Sequence, residues 1–268
     1  MGIGTILRNA LHGDPLSLFL VLFVVVGLSA GIYSGFFKAR KIQPKGFRWK
    51  TFRNEVFFAV INLAASAFLI GGSTTWLSAH GYITFNQAHP GWWVIAAEYA
   101  LYWFAFDTWF YWLHRAMHVE PIYTYVHKIH HFSTSPHALT TLSVNPLESL
   151  INGGFVPLFT AALTVHSDTM LLIGPTNIIM GLYVHAGYEF LPRWWNKSWA
   201  TKWFITTTFH DQHHKYFNWN FGGYTTIWDW ICGTVRPKYL ADWDKLHDRR
   251  SPPAPQPARV AAMDSAAA

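Results

Sequence analysis

Cysteine is nearly missing from this chain. Cys232 stands alone, which excludes an intrachain disulfide and a thiolate metal cluster, fits a reducing compartment and leaves the thiol as inert packing. Charge is scarce as well: Asp, Glu, Lys and Arg make up 13% of the 268 residues, against 51% hydrophobic and 18% aromatic. That balance excludes an acidic disordered chain and departs from an ordinary soluble domain, so the apolar surplus has to be buried somewhere, and lipid can do that. No repeat of domain length is present, and no Gly-rich nucleotide loop, since Gly222 and Gly223 stand alone.

Long uncharged runs are what the sequence does have. Residues 16–37 carry no charge and, at about 1.5 Å rise per residue, reach across roughly 30 Å of hydrocarbon as a helix. The run is too long for a typical signal h-region and lacks an A-x-A exit, so it reads as a retained signal anchor. A basic stretch follows from Lys38 to Arg53, countered only by Glu55, which places that loop in the cytoplasm. Residues 56–79 are the second run. They lead to a loop, 80–91, without Lys, Arg, Asp or Glu, and Trp92 and Trp93 then serve as interfacial anchors.

A third run, about residues 93–113, carries Glu98 and Asp107, whose exposure to lipid would be costly. Either they face a protein interior with a function there, or Glu98 sits near headgroups and Asp107 bonds a neighbouring helix. Residues 149–166 and 169–184 are each short for a full crossing and contain Gly153, Gly154, Pro157, Gly174 and Pro175. They read as a kinked hairpin that returns the chain to the side it left. His185 and all that follows then share the cytoplasm with residues 114–137, in agreement with Arg193, Lys197, Lys202 and Lys215.

The expected fold is therefore all-α: a polytopic integral membrane protein of about three full spans plus a kinked apolar hairpin, with a cytoplasmic helical histidine-rich cap. It divides into N-terminal spans with their basic loop (1–92), a histidine-bearing catalytic region (93–250) and a disordered, dispensable Pro- and Ala-rich tail (251–268). The net charge of +6 points to the membrane surface, not to nucleic acid.

Histidine is where chemistry concentrates. His114 and His118 are spaced i, i+4, which on a helix puts both imidazoles on one face. His127, His130 and His131 form an H-x-x-H-H triplet, and His210, His213 and His214 repeat the same spacing. With 15 His in the chain a shuffled sequence gives one such triplet roughly once in twenty trials, and two far more rarely. On a helix the first histidine shares a face with i+3 or i+4, while the two adjacent ones diverge by about 100°, so one triplet can serve two metals. Eight nitrogens are too many for one ion and suit a pair that keeps open positions. Imidazole accommodates iron, copper, zinc and nickel, so ligand type does not name the metal. The absence of H-E-x-x-H excludes a zinc metalloprotease of that type, and the absence of a helical E-x-x-H pair excludes the soluble carboxylate-bridged di-iron bundle.

Several motifs agree in order between about residues 107 and 234: Tyr111-Trp-Leu-His-Arg-Ala-Met-His118, His127-Lys-Ile-His-His131, Asn145-Pro-Leu-Glu148 and Trp228-Asp-Trp-Ile-Cys-Gly-Thr234. This pattern resembles the fatty acid hydroxylase and sterol desaturase superfamily. The resemblance implies a membrane oxidoreductase with two iron ions ligated by His114, His118, His127, His130, His131, His210, His213 and His214, and by His185 in Val184-His-Ala-Gly187. It implies activation of O2, the co-substrate, and hydroxylation or desaturation of an unactivated C–H bond in a membrane lipid. Electrons come from an external ferredoxin- or cytochrome-type donor, since the chain shows no haem or flavin module.

Asp107, seven residues before His114, matches a family Asp and is a candidate to orient a ligand imidazole. Glu189 stands where the family has a histidine four residues after His185, which leaves a ligand missing or replaced by carboxylate. His137 reads as a loop residue, Asp211 and Asp229 as solvated turn residues, and Asn218, Asn220 and Gly222 as structural. His12, His80, His89, His166 and His247 are background. Acyl-lipid and acyl-CoA desaturases share similar boxes with wider spacing between the first two. A metal transporter, the rival from another class, would line its histidines along a path across the membrane.

Overall fold

The computed structural model describes residues 40–249 except 44, 46 and 47, together with Thr5. The expected first span, 16–37, and the tail, 251–268, lie outside the described residues. Within them the fold is helical. No strand forms, and three isolated bridges, Lys41 with Tyr188, Asn86 with His166 and Phe204 with Thr225, are the only extended pairings.

Helix α1 (Trp49–Ser66) continues through a π-helical turn (Ala67–Gly71) into α2 (Gly72–Ala79). It starts inside the basic stretch, so Lys50 and Arg53 ride on its first turns instead of lying in a loop. Its burial pattern is inverted relative to a soluble helix: Glu55, Ala59 and Asn62 are buried, while Phe57, Val60 and Phe68 are exposed. Asn62 Nδ2 donates to the Leu142 carbonyl at 3.0 Å, and Glu55 faces His137. Among the described residues, the continuous helix Trp49–Ala79 is the one long and apolar enough to cross a membrane. Three crossings and a hairpin are thus not carried by helix length and composition alone.

Helix α3 (Trp92–Met117) delivers the first histidine pair. Its inward face runs Tyr102, Phe106, Asp107, Tyr111, His114 and Met117, the 3.6-residue period that ends at the site, while Leu101, Phe104 and Trp112 point out. Against it pack α4 (Pro146–Gly153), α5 (Phe155–Ala162) and α6 (Ser167–Val184), with Tyr102, Phe106, Phe155, Phe159, Val165, Ile173 and Tyr224 as the shared core. The expected hairpin is these three helices, broken between α4 and α5 at Gly154 and with Pro175 inside α6. Glu98 accepts from the backbone and ring of His166 and from Thr169 Oγ1, tying the start of α6 to α3. Helices α7 (Thr207–Tyr216), α8 (Ile227–Ile231) and α9 (Tyr239–Asp248) complete the cap.

Candidate metal centre

Four chain segments bring the histidines together. His114 sits in the last turn of α3, and His118 caps it. The first triplet does not lie on an α-helix as its spacing suggested: His127 ends a π-helical turn (Tyr123–His127) and His130 opens a 3-10 turn (His130–Phe132). His185 follows α6, where Gly187 at φ +73 turns the chain back, and a Cβ there would meet the Pro136 carbonyl at 2.6 Å. The second triplet occupies α7, whose start is capped by Thr206 accepting from Phe209 N at 3.0 Å.

The side chains fall into two groups. His114, His118, His127, His131 and His213 form one, and His130, His185, His210 and His214 the other, with the ligand atoms in each within 4.8 Å of one another. Each triplet divides: its i and i+4 members stay together and the i+3 member joins the other group. All nine expected histidines are present, and none of His80, His89, His137, His166 or His247 joins them. His12 lies outside the described residues.

The protons on these rings follow from their partners. His114 Nδ1 lies 2.7 Å from the Phe221 carbonyl, His213 Nδ1 2.8 Å from that of Trp219, His214 Nδ1 3.0 Å from that of Ser133 and His185 Nδ1 2.8 Å from that of Gly181. A carbonyl only accepts, so each Nδ1 carries the hydrogen and each Nε2 presents a lone pair. His127 Nδ1 lies 2.9 Å from the buried Glu148 carboxylate, the acid that the Asn145 cap and Pro146 place in the first turn of α4. The inward Nε2 atoms then meet at short range: 3.1 Å between His114 and His127, 3.1 Å between His127 and His131, and 2.9 Å between His185 and His210.

Two lone pairs at that separation repel unless a cation lies between them, and the buried His118 Nε2 has no partner at all. Burial holds the rings neutral, with His114 and His185 pushed down to about 4, His118 to about 2 and the others well below the usual imidazole range. Neutral imidazoles with oriented Nε2 atoms are a metal-ligand set, so the residues fit a pair of ions.

Two buried carboxylates sit one step behind. Asp107 does not touch an imidazole: it accepts from Tyr224 N and Thr225 N, each at 2.9 Å, and from Thr225 Oγ1. Asp229 accepts from Phe221 N at 2.8 Å, Gly222 N at 2.7 Å and Thr234 Oγ1 at 2.7 Å. Together they fix the loop whose Phe221 carbonyl holds His114. Gly222 is required there, because a Cβ would meet the Thr225 carbonyl at 2.2 Å.

Asp211 and Asp229 are buried, not solvated turn residues; Asp211 accepts from Gln43 Nε2 at 2.9 Å. Glu189 replaces no ligand. Its carboxylate accepts from Thr208 N at 2.9 Å and Thr208 Oγ1 at 2.7 Å, at the start of α7. His137 is buried against Glu55 instead of lying in an open loop. Asn220 is structural as expected, donating to the Phe209 carbonyl at 2.9 Å.

The fatty acid hydroxylase family model matches residues 99–234, the span that holds every one of the nine histidines. The chain belongs to the fatty acid hydroxylase family. Among relatives of this hydroxylase-family chain, a methylsterol monooxygenase of Aspergillus fumigatus is 33% identical over 165 residues, 57% of this chain and 51% of its own length. Methylsterol monooxygenase 1 of Gallus gallus is 32% identical over 204 residues, 72% of this chain and 65% of its own. A very-long-chain aldehyde decarbonylase of Oryza sativa subsp. japonica is 33% identical over 149 residues, 54% of each chain. The chain spans about half the length of most of these curated relatives. No solved structure matches it.

Proposed function

We propose that this chain is an integral-membrane di-iron oxidoreductase that uses O2 to hydroxylate or desaturate an unactivated C–H bond of a membrane lipid, a sterol, fatty acyl chain or related molecule. The observation that carries the reading is the division of nine neutral histidines, eight buried and His118 half-buried, into groups of five and four. Bound there, a pair of irons would supply O2 activation and C–H cleavage. The protein's own share is positional. His114, His118, His127, His131 and His213 would hold one ion and His130, His185, His210 and His214 the other. The carbonyls of Phe221, Trp219, Ser133 and Gly181 keep Nδ1 protonated and Nε2 free for metal.

The names of the relatives, a methylsterol monooxygenase and an aldehyde decarbonylase, support a lipid substrate. Electrons would come from a ferredoxin- or cytochrome-type donor. The inverted burial of α1 supports insertion in a bilayer, with residues 16–37, 56–79 and 93–113 crossing, the α4–α6 hairpin embedded and the histidines on the cytoplasmic face. Gathering of the histidines at one end of α3 and α6 disfavours a transport path.

Metal analysis and Mössbauer spectroscopy on iron-57-enriched protein, purified anaerobically in mild detergent, test this. About two coupled irons per chain, lost in His130→Ala or His214→Ala together with lipid oxidation, are expected. A single zinc, or no metal and no lipid-dependent O2 consumption under reduction, would overturn the proposal.

A further inference from the structure

The loop that carries the first triplet continues as Ser133, Thr134, Ser135, Pro136 and His137, and its outer side walls a cavity of ≈ 40 Å³. A bound water needs roughly 10–15 Å³ of such space, so the cavity accommodates about three waters or one tetrahedral oxyanion. Lys41, Lys45 and Arg48 share its lining with these residues, and Thr51 adds a hydroxyl from the start of α1; Lys41 Nζ also donates to the Lys45 carbonyl, and the Ser133 hydroxyl accepts from Thr140. No carboxylate among the described residues lines it. Of the acids behind it, Glu55 is committed to His137, and Asp211, which bears electrostatically on Lys45, accepts from Gln43 Nε2. Lys45 Nζ reaches Thr134 Oγ1 at 3.3 Å, so an ammonium and a hydroxyl already converge across the opening.

Two ammonium groups and a guanidinium around one small space repel one another, and an anion among them removes that cost. Arginine and lysine joined by several hydroxyl donors match an oxyanion that accepts on all its faces. We propose that this cavity binds a phosphate oxyanion, supplied as inorganic phosphate or as the headgroup of a phospholipid. Its depth favours the second source: the exposed Trp49 opens α1 beside Thr51, and Phe57, the first exposed apolar residue after the last basic one, Arg53, follows Thr51 by six residues, or about 9 Å of helix rise. Headgroup layers reach roughly 5–8 Å beyond the hydrocarbon edge, which puts Thr51 at their outer boundary.

The site also touches the metal centre through backbone. Ser133 offers its carbonyl to His214 and Thr134 offers its own to Gln43 Nε2 at 2.9 Å, so an anion seated on these hydroxyls steadies the loop that orients a histidine. The inference stands apart from the identity of the metal and from the reaction.

The test is thermal unfolding of the purified full-length chain, first in neutral detergent with inorganic phosphate at constant ionic strength, then in nanodiscs of phosphatidylcholine with or without phosphatidic acid. A saturable rise in Tm is expected with at least one of the two. The Lys45→Gln/Arg48→Gln double variant, both residues exposed, shifts the half-saturating concentration at least ten-fold, whereas Lys245→Gln elsewhere on the surface leaves it unchanged. Response to phosphatidic acid alone assigns the site to a lipid headgroup, and response to phosphate assigns it to the free anion. No rise with either, or equal rises in wild type and double variant, overturns the proposal. Should the double variant not fold, Ser135→Ala provides the same comparison.

Discussion

Asp229 shows how a single buried residue reaches the metal site without touching it. Burial pushes its carboxyl up to about 6 even though three donors surround it. The folded state therefore holds this proton more tightly than the unfolded chain, and stability is lost as pH rises from about 4 to about 6, then levels off. The full shift corresponds to on the order of 2–3 kcal/mol. Asp229→Asn removes this slope and, at neutral pH, sets an amide N–H against a backbone or hydroxyl donor, at a cost of about 1–3 kcal/mol. Thermal unfolding in detergent between pH 4 and 7 checks it: the wild-type advantage should shrink as pH rises to 6. The difference cancels what the histidines contribute to both proteins, so an advantage constant across that range contradicts the assignment.

The same residue marks a limit of the sequence. A lone acid between Trp228 and Trp230, four residues before Gly233, reads as a solvated turn residue, and nothing local reveals that Asp229 lies beneath the loop it holds. The histidines were legible because their identity and spacing are themselves the signal. Their carbonyl partners at Phe221, Trp219, Ser133 and Gly181 carry none, since every residue has a carbonyl.

At the scale of the element, the end of α7 combines strain with packing. Phe217 adopts φ 62 and ψ −58, outside the regions open to a phenylalanine, while its ring lies 4.7 Å from that of His131 at 31°. Such a conformation costs on the order of 1–3 kcal/mol and persists only where the surroundings hold it. The aromatic ring covers the side of the five-histidine group where His118, the least buried member, and Tyr123 also stand.

Phe217→Gly relieves the backbone and removes the cover. These effects oppose each other in stability, so the unfolding midpoint should change little while metal passes to an external chelator several-fold faster. An unchanged chelation rate would show that the ring shields nothing.

Elements with a strong period were legible: α3 and the helix Trp49–Ala79 appear close to where the apolar runs placed them. The backbone of the first triplet was not, because the i, i+4 spacing suits a π or 3-10 turn that brings the same rings together nearly as well as an α-helix. What the spacing did convey, that each triplet contributes to two separate groups of ligand atoms, survives the change of backbone.

For the whole molecule, the proposed orientation assigns the metal centre, α8 and α9 to one side of a bilayer and the loop 80–91 to the other. A natural reporter exists. Cys232, the chain's one cysteine, is half-buried after α8, four residues beyond Trp228, whose indole packs on Trp112 near the end of α3. A membrane-impermeant maleimide should therefore label the wild type in inverted vesicles and after detergent treatment, and leave it unlabelled in sealed right-side-out vesicles. In a Cys232→Ser background, Gln87→Cys, on the exposed loop before α3, should behave in the opposite way. Labelling of both positions from one side would reduce the crossings between them to an even number. Helix α3 would then have to enter and leave the bilayer on the same face, and its row of exposed apolar side chains would need a protein partner instead of lipid.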